Sequence, residues 1–421
     1  FPAMMPPHIG KTGGESSVRQ SNDGMLGAMP VPRLVVTMSL PIMLSMLISA
    51  VYNLVDSVYV AQYSDEAFLA LSYAYPIQML LVAFCSGIGV GFSAIFSRRL
   101  GEGDQEQAAS AVCHGFFLYG LCWLLFLLFA LTGAAPFLRL STEDPSVARQ
   151  GAQYLLICCG PSIGTCMQFL TERILQAMGR PAGFMIVQGS GAILNLILDP
   201  IFIFPLKMGV VGAGIATVIG QVAAGCLALL YLRRLKTVHI RREDLRPTRK
   251  LTCRILALGF PSLLTQMLSA LVQITLNNLM RAYGAATVYG SDIALSVYGM
   301  MMKVYQIAHS MFVGVSSAIQ PINGYNFGAN HYARVQKTFH IASLIAVGIS
   351  VVWFLIFMVF PRQIASCFVS DNALYLDCAQ HCFRLYMLAF FLYGLHMTSA
   401  SFFQGIGRPG KSLLIPLARQ G

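Results

Sequence analysis

Long apolar runs separated by short polar connections dominate the chain. Runs of the roughly 20 residues needed to cross a bilayer fall near 34–61, 68–97, 108–138, 151–175, 183–205 and 209–232. They resume near 255–280, 290–322, 338–360 and 380–403. A further run begins at 411 and stops with the chain, so the second set of spans is expected to be incomplete. Each run is predicted to be a membrane-spanning helix, which satisfies its own backbone hydrogen bonds. The opening "FPAMMPPHIGKTGGESSVRQSNDGMLGAMP" has no apolar core of a signal peptide and is expected to be a flexible cytosolic tail.

Composition agrees with the pattern. Of the 421 residues 56% are hydrophobic and 11% charged, where a soluble domain carries about 25% charged residues. The expected fold is all-α: a polytopic membrane protein of the plasma membrane. The net charge of +11 raises nucleic acid as a partner, but the basic residues gather at the ends of apolar runs. With the N-terminus inside, inner connections hold twenty Lys and Arg, including Arg98, Arg99, Arg173, Arg180, Arg334 and Arg408. Outer connections hold five: Arg139, Arg149, Lys207, Arg281 and Arg362. This recurring imbalance sets a cytoplasmic N-terminus. The stretch "RRLKTVHIRREDLRPTRKLTCR" lacks interleaved aromatics and is expected to lie beside anionic lipid, not nucleic acid.

The spans repeat. "QAMGRP" (176–181) and "QGIGRP" (404–409) share Q-x-x-G-R-P, and "LPIMLSMLISA" (40–50) matches "FPSLLTQMLSA" (260–270). "SAI" recurs at 93–95 and 317–319, each time ahead of a short inner loop containing glycine. The predicted organisation is a tail (1–32), a first six-helix lobe (33–232), a basic connector (233–254) and an incomplete second lobe (255–421). An even number of spans in the first copy makes the lobes parallel repeats, an organisation common among secondary transporters.

Only Asp56 and Asp199 lie well inside apolar runs. Counted from the outer connections, Asp56, Asp199 and Thr217 fall roughly 9–12 Å below the outer face, with Tyr52 and Asn195 roughly 15–18 Å deep. Asn195 and Asp199 are four residues apart and share a helix face. Buried ionisable groups are costly in a membrane and point to function. This oxygen-rich set suits a small cation or a proton.

Other signals fall away. "GVVGAGIATVIG" has Thr217 where a dinucleotide fingerprint needs its third glycine, and no strand precedes it. Gly87 and Gly91 are expected to serve close helix packing. Eleven cysteines without CxxC spacing predict neither a disulfide framework nor a zinc site, and are read as small buried hydrophobes. His114, His309 and His396 stand singly. No nucleophile–base or phosphate-loop constellation is present, so no enzyme is expected.

The motifs together resemble the multidrug and toxic compound extrusion (MATE) family. "LPIMLSMLISAVYNLVDSVYVAQ" is similar to that family's first helix, with a kink proline at Pro41 and a site aspartate at Asp56. "LNLILDPIFI" resembles its fifth helix through Asn195 and Asp199, and "GVVGAGIATVIGQ" its sixth through Thr217. Tyr52 matches a tyrosine of the same hydrogen-bond network. The resemblance implies an antiporter that exports small lipophilic or cationic compounds against sodium ions or protons. It implies no other cofactor, a rocking of two six-helix lobes, and a site of Asp56, Asn195, Asp199 and Thr217 that could hold sodium. A monomer is expected. "LTQMLSALVQITLNNL" (264–279) departs from the pattern: some members carry an acid there, and this stretch has only neutral polar residues. A lipid-linked precursor flippase would need a large cationic cavity, whereas interior basic residues are few, Lys303 foremost. A receptor reading conflicts with the parallel repeat.

Overall fold

The structure, a computed structural model, describes residues 25–63, 65–142, 144–234, 247–369 and 372–420. It is a bundle of helices, with no strand among the described residues. In chain order these are α1 (Met25–Ala28), α2 (Val31–Tyr63), α3 (Asp65–Glu102), α4 (Gln105–Thr132), α5 (Ala134–Ser141), α6 (Pro145–Cys159), α7 (Ile163–Ala177) and α8 (Pro181–Ile203). There follow α9 (Gly209–Arg234), α10 (Arg249–Gly284), α11 (Gly290–Gly328), α12 (Tyr332–Val359), α13 (Pro361–Ser366), α14 (Ala373–Tyr386), α15 (Tyr393–Gly405) and α16 (Pro409–Gln420).

Seven of the described helices are long and apolar enough to cross a membrane, and two bent pairs raise the number to nine. The exposed surface of α4 is itself apolar, with Leu121, Leu124, Leu125, Leu128 and Leu131 outward and Leu118, Tyr119, Cys122 and Phe126 inward. A helix apolar on all sides is at home only in a core or in lipid. The protein is an all-α polytopic membrane protein.

Two predicted spans are broken. The run at 151–175 is the pair α6 and α7, bent by 45° at Gly160-Pro161-Ser162. Pro161 has no N–H to continue the ladder, and the Gly160 carbonyl instead accepts the Trp123 indole N–H at 2.9 Å. The run at 380–403 is bent by 44° between α14 and the short 3₁₀ turn that leads into α15. There the Gly394 N–H donates to Ser350 Oγ on α12, 2.9 Å away. The run at 290–322 forms a helix of 39 residues, but it is absent from the helices that meet the apolar measure. Its Ser310, Ser316, Gln320, Asn323 and Asn326 are buried inside the protein. This helix is central, and two of these side chains serve neighbours: Gln320 Nε2 donates to the Val90 carbonyl at 2.8 Å and Asn326 Nδ2 to the Leu26 carbonyl at 3.1 Å.

One core joins α3, α4, α6 and α7 through Phe92, Phe96, Leu118, Tyr119, Leu155 and Leu170. Another joins α11, α12, α14 and α15 through Tyr298, Met301, Phe312, Phe357, Phe383 and Tyr393. A seam between them packs Leu34, Val35, Met38 and Ile42 of α2 on Val315, Ile319 and Ile322 of α11. Residues 25–32, read from sequence as part of a loose tail, take part in that seam. Leu26 and Val31 are buried, and Arg334 donates to the Leu26 and Met29 carbonyls at 3.1 and 2.8 Å. The earlier residues of the tail, and 235–246 of the basic connector, lie outside the described residues.

Glycine decides how closely the halves approach. A Cβ on Gly91 would collide with the Ile255 carbonyl oxygen of α10, and one on Gly259 with the Gly87 carbonyl of α3. Likewise Gly314 of α11 lies against Met43 of α2, and Gly328 against the Arg98 carbonyl. All these crossings lie toward the end of the molecule that carries Arg98, Arg254 and Arg408. Toward the other end α10 lets go: between Pro261 and Gly284 it has no buried residue.

The sequence repeats recur as geometry. Gly179 and Gly407 adopt φ of 71° and 78°, the left-handed conformation that ends a helix. Around them Arg180 N and Arg408 N donate to the carbonyls of Leu175 and Phe403 at 2.8 and 2.9 Å. Pro181 and Pro409 then open the next helices. Inside α2 and α10, Pro41 and Pro261 each have a hydroxyl four residues on that donates to the proline carbonyl: Ser45 at 2.9 Å and Thr265 at 2.6 Å. A missing ladder bond and a back-bonded hydroxyl both bend helices, so each copy carries the same bending device.

Candidate functional site

The apolar helix α8 packs beside α2 and α9, and it buries Asn195 and Asp199 to 4% and 1% exposure. Asn195 is the centre of what is found there. Its Nδ2 donates to Asp199 Oδ1 at 3.2 Å and to Thr217 Oγ1 on α9 at 3.3 Å. Thr217 is half-buried. The α8–α9 approach that permits this depends on small residues, since a Cβ on Gly220 would sit 2.7 Å from the Gly191 carbonyl. Asn195 Oδ1 has no hydrogen-bond partner among the described residues. An amide, a carboxylate and a hydroxyl thus meet between apolar helices, a set that offers a hard cation the oxygen ligands it takes.

The Asp56 side chain lies outside the described residues, but its backbone is within α2. The register of α2 against α8 is set by Gln188 Nε2, which donates to Ser49 Oγ at 2.7 Å. From that bond, Asp56 and Asn195 are each seven residues on, two helical turns or about 10.5 Å along helices that run the same way. The backbones of both residues therefore stand at about the same level. Further along, Tyr59 and Phe204 meet edge to face at 6.2 Å. Tyr52 is half-buried one turn before Asp56, and Pro41 is three turns before that.

Glu172 escaped the sequence reading because it stands near the end of its run. It is 4% exposed and accepts a hydrogen bond from Gln168 at 2.8 Å, so among the described residues α7 holds a second buried acid besides Asp199. His114 is structural. Its Nδ1 faces the Ser110 carbonyl at 2.7 Å, and its Nε2 accepts the N–H of Thr248, the residue before α10, at 2.8 Å. The cysteines are buried in seven cases, as their setting in apolar runs suggested, but three of them come together in a way that spacing concealed.

The profile of the MatE family matches residues 41–201 and again 261–420. The chain belongs to the MatE family. It is a transporter, not an enzyme. Among its relatives is the multidrug export protein MepA of Staphylococcus saprophyticus, 25% identical over 91% of this chain and 83% of that protein. MepA of Staphylococcus aureus strain N315 is 26% identical over 93% and 85%. The fold is also that of a multidrug resistance MATE family transporter solved in an outward-facing conformation. The TM-score is 0.86 at 25% identity, covering 94% of this chain and 87% of that one.

Proposed function

We propose that this MatE transporter is a secondary antiporter. It exports small lipophilic or cationic compounds in exchange for sodium ions or protons by alternating access. The observation that carries the reading is the Asn195 amide held between Asp199 and Thr217, level with Asp56 on the neighbouring helix. A carboxylate buried between apolar helices, as Asp199 is, favours uptake of a positive charge. A sodium ion would take Asp56, Asp199, Thr217 and the otherwise unpartnered Asn195 Oδ1 as ligands. A proton would occupy one of the carboxylates. Tyr52 supports the network from one turn away.

Alternating access needs two bodies that part at one end and then at the other. The glycine crossings hold one end shut while the far half of α10 stands clear. With the N-terminus in the cytoplasm, this arrangement is the outward-open state. Ion loading acts on α2, whose Pro41 lies within the seam with α11. The export of drugs by the MepA relatives gives the cargo class, and the protein works as a monomer in the cell membrane.

The test is dye efflux from vesicles of purified protein with a sodium gradient and a pH gradient imposed separately. One of them should drive efflux in the natural chain, and Asp199→Asn or Asp56→Asn should abolish that response while the protein still inserts. Efflux driven equally well by either variant would overturn the proposal.

A further inference from the structure

The core of the first set of helices contains a feature that antiport does not use. Cys85 of α3, Cys122 of α4 and Cys166 of α7 are buried to 0%, 4% and 0% exposure, and their three Sγ atoms lie within 4.8 Å of one another. Cys85 Sγ and Cys166 Sγ are 3.8 Å apart. Three thiols from three separate helices converge here, far apart in sequence.

An equilateral triangle of sulfurs with a 3.8 Å edge has its centre about 2.2 Å from each corner, the edge divided by √3. The outer bound of 4.8 Å gives about 2.8 Å. Metal–thiolate bonds are about 2.3 Å, so the triangle brackets the length a bound ion needs. Its chemistry is selective. Zinc in a structural site takes four ligands, and no fourth His, Cys, Asp or Glu joins this group among the described residues. A hard cation would find no oxygen ligand in the triad. Soft thiolate ligands select monovalent copper.

Charge points the same way. Thiolates are costly inside a membrane unless a cation stands near, and a bound ion would itself be that cation. A Cβ on Gly89 would be 2.8 Å from the Tyr119 hydroxyl and 3.1 Å from Arg173 Nε, so these two atoms are no more than about 6 Å apart. The Tyr119 hydroxyl in turn donates to the Cys85 carbonyl at 2.8 Å. Arg173 therefore lies near the Tyr119 hydroxyl that binds the Cys85 backbone.

We propose that Cys85, Cys122 and Cys166 form a trigonal site for one soft thiophilic cation of the Cu(I) type. Held there, the ion clamps α3, α4 and α7 together. Binding is ligand exchange without electron transfer: each thiol that coordinates as a thiolate releases its proton, and copper stays monovalent. The site is separate from the Asn195 cluster, so its test is independent of cargo and coupling ion.

The experiment uses the full chain in detergent, reduced and free of oxygen, with the exposed Cys226, Cys253 and Cys367 replaced by serine. Cu(I) is supplied from a bicinchoninate buffer. The expected result is one copper retained per chain, a higher melting temperature on loading, and loss of retention in Cys122→Ser or Cys166→Ser. Copper-edge X-ray absorption of the loaded chain with all three triad cysteines intact, which needs no triad variant to fold, should give a shell of three sulfurs at about 2.3 Å. A shell of nitrogen and oxygen, retention unchanged by the triad substitutions, or no retention against the buffer would each overturn the site.

Discussion

Gly91→Ala probes the crossing that holds the two halves together at one end. The added methyl would strike the Ile255 carbonyl oxygen and sit 2.9 Å from the Gly259 nitrogen, where ordinary contact begins at 3.4 Å. Both obstacles are backbone, so no side-chain rotation relieves them, and α3 and α10 must part by more than the half ångström that the nitrogen alone demands, because the carbonyl oxygen is closer still. Overpacking of this kind costs about 1–3 kcal/mol. Between lipid-embedded helices no hydrophobic drive offsets the loss, because association rests on close packing. Against this, alanine favours a helix over glycine by about 1 kcal/mol. Gly120→Ala supplies the reference: it lies on α4 with nothing within 4 Å of its added methyl, so it collects the helix gain alone. The two variants should therefore differ by about 1–3 kcal/mol, with Gly91→Ala melting below Gly120→Ala. If transport requires this end to open and close, the same energy shifts the balance toward the parted state by about 5- to 150-fold. Thermal unfolding in detergent reads the first effect and dye efflux from vesicles the second. Equal melting temperatures for the two variants, with efflux intact in Gly91→Ala, would refute the packing argument.

Other expectations follow from single contacts. Asn195→Leu removes the donor shared by Asp199 and Thr217 and should abolish ion-driven efflux, while Thr217→Ser, which keeps the hydroxyl, should retain most of it. Flux assays on both variants in the same vesicles check this. Arg334→Ala removes the side chain that holds the Leu26 and Met29 carbonyls, and should speed tryptic cleavage at Arg33; Arg334→Lys, lacking the guanidinium fork, should restore protection only in part. Pro41→Ala restores the missing ladder bond in α2 and should slow transport without lowering the melting temperature. Ser45→Ala in the same helix removes the hydroxyl that bonds the Pro41 carbonyl and should change transport in the same direction.

Hydropathy alone determined most of the architecture, because lipid leaves a backbone few ways to satisfy its polar groups. The long apolar runs became helices, and the repeated Q-x-x-G-R-P became two matching helix ends, since a glycine in the left-handed region followed by proline closes one helix and opens the next by local geometry. Asn195 next to Asp199 was legible too, being four residues apart on one helix. Tertiary structure decided what depends on neighbours. Trp123 and Ser350 capture backbone groups at the two broken spans, and neither signal lies within the run that it breaks. The polar helix α11 is tolerated because other helices surround it, which average hydropathy cannot register. Thr217 meets Asn195, and three cysteines from three helices meet one another, only because packing brings distant segments together. A sequence fixes the period of each helix, but its rotation and partners follow from the side chains and glycine surfaces of the helices beside it.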